Sequence, residues 1–516
     1  MKGHLRFSPP QGIAHSDRDS AQRYTRARFQ PRFLQGIKVT GRYLILACAL
    51  LLFGGTAAQA QKNSPDIPSV SNVVAIQGAT IIQSPGKSLE GATVVFRNGV
   101  ITAVGAKVTI PYDAEVIDGA GMVVYAGFID ALSHVGVPAP ENTPFQQVPD
   151  RSNPTFDQAG IAPQTEVRSS LKPSDASVDA YRKLGFTTAH SVPQGRMLPG
   201  QGSVILLTGD DADAMVLSGN HSSFFKFDGA RGVYPGTPMG IMAKFRRMYI
   251  EATRRMSVNA MYVADPKGMT RPLSDEVHDA FFPVIEGKQP LFVFTSDALE
   301  IHRALTLKNE LGFNMVLTGL SEGFDTVDKV KASGITIALT LDIPAKPEWA
   351  ASIKSDSLDQ ILASYDDDTR TATFRDVEAE KRNLEAKQLQ SRAQYVNMPK
   401  QYSEAGLPFA FTTMGVKTAD IGTNLKEFVS AGLSNDDALA ALTTTPASLL
   451  GLSASMGTIE VGKMANLVVS NSNIFEEESA VRYVFVNGTK YEYEEPANKD
   501  KKDKKDDQSS NRRKGQ

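Results

Sequence analysis

The chain has 516 residues, 41% of them hydrophobic, enough to bury the cores of two or three domains. Its 55 basic and 57 acidic side chains leave a net charge of −2. That balance excludes the strongly basic surface of a nucleic-acid-binding protein.

The N-terminal region reads as a leader. Arg42 precedes an apolar run of roughly a dozen residues that ends in Ala58-Gln59-Ala60, a small-x-small cleavage site. Cleavage is expected after Ala60, which places the mature chain in a periplasmic or extracellular compartment. The run is too short for a comfortable membrane span, so no stable span is expected after cleavage. Residues 1–38 are long, polar and Arg-rich for a leader, and a start near Val39 would leave an ordinary one. Cys48, the only cysteine, lies inside the run, where the apolar stretch continues past it as in a poor lipidation signal. The mature chain therefore has no cysteine and no disulfide or thiolate chemistry.

From Val73 to Val124 the chain reads as short strands. "ATIIQ", "ATVVFRNGVITAVG" and "AEVIDGAGMVVY" are apolar or alternating, and Asn98-Gly99 joins two apolar runs as a hairpin. Short apolar runs then alternate with helical stretches: "GFIDALSH", "FTTAHSV", "SSFFKFDG", "PLFVFTS", "NMVLTG", "GITIALTLD" and "LPFAFTTM". Strand alternating with helix implies a parallel sheet, and this many units favour a closed barrel. The glycine-rich "PGQGSV" at 199–204 fits neither a phosphate loop nor a dinucleotide fingerprint and reads as a tight loop under the barrel mouth. Residues 346–395 are charged and helical, and are expected as a helical hairpin over the mouth or as a plain solvated helix pair. In "SNDDALAALTTTPASLLGL", Ser434 is a good N-cap followed by acidic residues. Strands return in "GTIEVGKMANLVVSN" and "AVRYVFVNGTKYEY", with a second Asn-Gly hairpin at Asn487-Gly488. The tail is charged, lacks aromatics and cannot bury a core.

Several of these segments carry a resemblance. "VVFRNGVITAVG" with "EVIDGAGMVVYAGFIDA", "GFTTAHSVPQGRMLPGQGSVILL", "PGTPMGIMAKFRRMYIEA", and "GLSNDDALAALTTTPASLLGL" with "MGTIEVGKMANLVV" resemble, in order, segments of the amidohydrolase superfamily. Within it they resemble the imidazolonepropionase-like branch. The resemblance implies an α/β fold with a TIM-like (β/α)8 barrel and a small composite β-sandwich formed by both ends of the mature chain. Expected boundaries are 1–60 for the extension and signal peptide, 61–125 and 455–492 for the two β-sandwich parts, 126–454 for the barrel, and 493–516 for the tail. The family's activity is hydrolysis of non-peptide or dipeptide C–N bonds with a divalent metal, which activates water and polarises a carbonyl.

Carried over residue by residue, that metal site is depleted. The first strand-one ligand falls at Leu132 and the second at His134. The strand-five histidine falls at Phe294, the strand-six histidine at Thr318 or Gly319, and the strand-eight aspartate at Met414 or Thr413. A catalytic zinc needs about three protein ligands, so no metal is expected unless the site has been rebuilt around zinc or another divalent ion. Leu, Phe and Met at these places are expected to fill the mouth with apolar bulk.

Candidates for a rebuilt site are His134, His190 and Asp342. His190 follows Thr187-Thr188 on the second strand and is expected near His134, either as a hydrogen-bonded pair in a packed rim or as part of new chemistry. Asp342 and Asp297 end strands, where capping the next helix is the commoner role. His221 reads as a loop residue, His278 as helical, and His302 as a surface helix residue. Three readings stay open: an inactive family member partnering itself or an intact amidohydrolase, an active hydrolase with an altered site, and a periplasmic small-molecule binding protein.

Overall fold

The computed structural model describes residues 72–139, 148–347 and 372–494, without the side chains of 372–375, 377 and 378. The expected leader, the first half of the charged insertion, and residues 495–516 of the tail lie outside the described residues.

Both ends of the described chain build one sheet. The early strands are β1 (Val73–Ser84), β2 (Lys87–Arg97), β3 (Val100–Gly105), β4 (Glu115–Asp118) and β5 (Val123–Ala126). The late strands are β14 (Leu467–Ser470), β15 (Val481–Val486) and β16 (Thr489–Glu492). The order is β16-β15-β14-β5-β1-β2-β3, with β4 also on β1. Phe96 of β2 meets Phe485 of β15 edge-on at 5.0 Å although three strands separate them in that order. The sheet is therefore curled around a core that includes Ile76, Val94, Phe96, Leu467 and Phe485. Both Asn-Gly pairs turn as expected: Asn98 and Gly99 have φ of 50° and 78°, Asn487 and Gly488 of 49° and 81°. Two successive positive φ values are the hairpin turn that matches strand twist.

The second sheet is the barrel. Its strands are β6 (Phe128–Ser133), β7 (Phe186–Ser191), β8 (Gly200–Leu206), β9 (Val216–Lys226), β10 (Leu291–Thr295), β11 (Met315–Gly319), β12 (Thr336–Thr340) and β13 (Phe409–Thr412), joined in that order. Seven are parallel and correspond to the seven runs read from the sequence. The eighth, β8, is antiparallel to both neighbours. Residues 199–204 are thus not a tight loop; most of them form β8. Gly202 is glycine because a Cβ there would lie 2.6 Å from the His190 ring and 2.9 Å from Ser222 Oγ, so the residue serves close packing rather than a turn. His221 likewise lies within β9 and not in a loop.

The helices include α1 (Ala176–Lys183), α2 (Pro238–Ala264), α3 (Ala298–Leu311), α4 (Ala372–Glu404), α5 (Asn435–Leu442) and α6 (Thr444–Leu449), with a further helix at Thr418–Ser430. Ser434 caps α5, accepting from Asp437 N at 3.0 Å. The helix read as continuous from there breaks at Thr443. Pro446 cannot donate to the Leu442 carbonyl, and its ring crowds it. The second half of the charged insertion is one helix, α4. Its C-terminal half is anchored: Tyr402 is buried with its hydroxyl on Gly323 O at 3.1 Å, and Arg392 forks onto Glu427 at 2.5 and 2.7 Å. Among the described residues no helix is long and apolar enough to cross a membrane.

Candidate functional site

The parallel strands place their C-terminal ends at one mouth, where active sites of such barrels form. No backbone ladder joins β13 back to β6; side chains close that seam. Thr412 Oγ1 donates to Leu132 O at 2.6 Å, and Thr413 N donates to Asp130 Oδ1 at 3.2 Å. The Thr413 hydroxyl donates to the other Asp130 oxygen, and Tyr181 of α1 donates to that hydroxyl at 2.8 Å. Asp130 is fully buried. Burial pushes its carboxyl up to about 7, against the pull of the hydrogen bonds from Thr413 and Leu132. Sequence reading missed Asp130, because a buried carboxyl inside an apolar run leaves no periodic signal.

The two expected histidines stitch β6 to β7. The register slips between Asp130 and Ser133, leaving Ala131 and Leu132 without partners on β7. His190 Nδ1 donates to Ala131 O at 3.0 Å, and His134 Nδ1 donates to Val192 O at 2.8 Å. Each carbonyl only accepts, so each Nδ1 carries its proton. His190 Nε2 is then the acceptor for Ser222 Oγ at 2.8 Å. A serine hydroxyl aimed at a neutral imidazole is a nucleophile–base geometry. Here both residues are fully buried, and His190 packs edge-on to Phe292 at 4.4 Å. Burial first, then neighbouring His221, hold His190 down to about 3. No carbonyl carbon can reach Ser222, so the pair is structural.

His134 is different. Among the described residues its Nε2 has no protein partner, and the residue is half-buried. Burial and the Lys226 ammonium keep it below an ordinary imidazole, against the Val192 carbonyl. Lys226 was missed in the run "SSFFKFDG". Strand alternation puts Phe225 and Phe227 against the outer helices and Phe224 and Lys226 on the inner face. Lys226 approaches Asp228 at 3.5 Å, and Arg196 holds the same carboxylate at 2.9 Å. Burial lowers the lysine's proton affinity; Asp228 partly restores it.

Below these polar groups the mouth is apolar. Leu132, Phe294 and Met414 join Phe224, Phe292, Val316 and Val192 in one hydrophobic cluster. Thr318 is buried with its hydroxyl on Val293 O at 3.1 Å. The positions that the resemblance gives to metal ligands therefore converge on one place, and three of them meet there as packed hydrocarbon. A divalent ion does not fit these residues. His134 is the single donor of that set, and among the described residues no three His, Cys, Asp or Glu side chains gather as a metal set.

The remaining candidates have other surroundings and partners. Asp342 is exposed; burial of its carboxyl and then Asp420 raise it, and Lys417 lowers it. Asp297 caps α3, accepting from Glu300 N at 2.7 Å. His278 sits between Asp275 and Glu251 at 2.7 and 3.1 Å. His302 is half-buried on α3, with Lys329 Nζ at 3.5 Å.

Residues 314–490 match the model of the amidohydrolase family. No curated protein matches the chain. Among solved structures, an amidohydrolase from Thermotoga maritima MSB8 superposes with a TM-score of 0.63 at 21% identity, covering 81% of this chain and all of that one. A putative prolidase from Bifidobacterium longum aligns at 19% identity and a TM-score of 0.45, covering 85% of this chain and 99% of that one. At 21% identity the likeness to the Thermotoga protein is one of fold.

Proposed function

From the premise that the chain belongs to the amidohydrolase superfamily, whose family model its residues 314–490 match and whose barrel it carries, we propose that it does not perform metal-dependent hydrolysis. One observation carries this reading. Leu132, Phe294 and Met414 form part of a single apolar cluster at the mouth, where an ion would need about three donors. Filling that space with close-packed side chains adds hydrophobic stabilisation, and it removes the water-activating centre on which C–N bond hydrolysis in this family depends.

In this reading the protein is exported, its leader removed after Ala60, and it acts by binding. Its partner is a second copy or an intact amidohydrolase. A second reading, a rebuilt hydrolase, has one observation in its favour. His134 presents a bare Nε2 beside Lys226, which supplies a proton acceptor and a cation over an apolar floor. His190 and Asp342 have no part in that arrangement.

The test is a hydrolysis screen of amides and dipeptides with zinc, manganese or chelator added. The proposal expects no turnover in any arm. Turnover abolished by chelator would overturn it. Turnover indifferent to chelator but lost in His134→Ala would favour the rebuilt site.

A further inference from the structure

Helix α2 is longer than the body of the protein needs. Its buried residues are Ile241, Phe245, Met248, Tyr249 and Ala252, and from Thr253 through Val277 no residue is buried. The helix continues past Ala252 for about 18 Å at the usual rise per residue. The chain then returns alongside it. Arg255 ties the two legs, donating to Leu273 O at 2.6 Å and approaching Asp275 and Asp279. His278 closes the base through Asp275 and Glu251. The result is a built arm with a groove between its legs lined by Val258, Asn259 and Pro272.

Among the described residues nothing covers hydrocarbon near the end of the helix, at Met261 and Val263, or on the returning leg beside Arg255, at Leu273. Met261 is 61% exposed, Val263 82% and Leu273 86%. Arg254, Lys267 and Arg271 flank them, all exposed and without an ion-pair partner among the described residues. Between Thr253 and Val277 the carboxylates are Asp265, Asp275, which Arg255 approaches, and the exposed Glu276. Exposed apolar residues along a projecting arm that also carries exposed cations fit an anionic lipid surface. A second copy fits less well, because a two-fold contact sets the same patch against itself and would bring these cations together.

We propose that this arm docks the protein on an anionic lipid bilayer, with Met261, Val263 and Leu273 entering the acyl boundary and the three cations meeting headgroup charge. The inference is independent of what the barrel mouth does.

The test places an environment-sensitive fluorophore on the arm of the full chain, by Leu273→Cys in a Cys48→Ser background. Labelled protein is titrated with phosphatidylcholine vesicles, with and without phosphatidylglycerol. The expected result is a blue shift that needs less lipid by about fivefold when phosphatidylglycerol is present, from an excess of about one cation over the carboxylates of the arm. High salt or the double change Lys267→Glu and Arg271→Glu should abolish that advantage. Because the probe reports from the arm itself, membrane contact elsewhere in the chain does not mimic this response. An equal response to neutral vesicles, or no response to either, overturns the proposal. A shift that grows with protein concentration and not with lipid assigns the arm to a second copy instead.

Discussion

Asp130 gives the most quantitative handle on the barrel. Its carboxyl is fully buried at the seam between β6 and β13 and is raised from 3.8 to about 7. A shift of that size corresponds to about 4 kcal/mol for ionising the group inside the fold. The native state holds the proton more tightly than the unfolded chain. The side chain therefore favours folding fully below pH 3.8, and that contribution is lost as pH rises toward 7. In Asp130→Asn the slope is absent, while hydrogen bonds from Leu132 N and Thr413 N to Oδ1 can persist. Urea unfolding of both proteins should show the parent losing about 2–3 kcal/mol relative to the variant between about pH 4.5 and pH 6.5. Other titrating groups cancel in that difference. Parallel pH profiles would refute the reasoning, and would mean that water reaches Asp130 or that the seam is organised differently.

Four further outcomes follow from the same geometry. His190 is held near 3 from an ordinary 6.5, so the unfolded chain binds the extra proton; relative to His190→Asn, stability should fall by about 1.4 kcal/mol per pH unit as pH drops below 6.5, read by the same unfolding curves. Gly202→Ala should cost about 1–3 kcal/mol, because its Cβ would sit 2.6 Å from the His190 ring and 2.7 Å from Val192; an unchanged unfolding midpoint would contradict that packing. Leu132→Ala should cost about 2–5 kcal/mol, as for a packed core leucine, whereas a loss below about 0.5 kcal/mol would mean a loose mouth. Lys226→Met should raise the pH at which the His134 ring titrates, since the ammonium is one cause of its lowering; NMR titration of the imidazole checks this, and an unmoved midpoint would separate the two residues.

Much of the architecture is legible in the sequence because it rests on local rules. The two Asn-Gly hairpins need positive φ at both turn positions, and these are the residues that take it without penalty. Seven barrel strands are readable because buried parallel strands are continuous apolar runs between helices. The eighth, β8, is not, because Gly202 answers to a close approach of His190 that only the folded barrel creates. The candidate site divides in the same way. That Leu132, Phe294 and Met414, where the resemblance would put metal ligands, are apolar is legible from residue type alone. Their meeting in one cluster is a property of the barrel. Asp130 and Lys226 each lie inside apolar runs, and strand alternation and the β6–β13 seam give them their roles. The projecting half of α2 has no sequence mark either, since its apolar residues would suit a buried face equally well.

The central claim is that the barrel mouth no longer holds a catalytic ion. Counting metal decides it most directly. The purified chain is incubated with zinc and manganese, desalted, and its bound ions are counted by elemental mass spectrometry, beside a His134→Ala variant. The account predicts well under one ion per chain, with parent and variant indistinguishable. A stoichiometric ion that the variant cannot hold would contradict it, and would mean that His134 still anchors a metal centre.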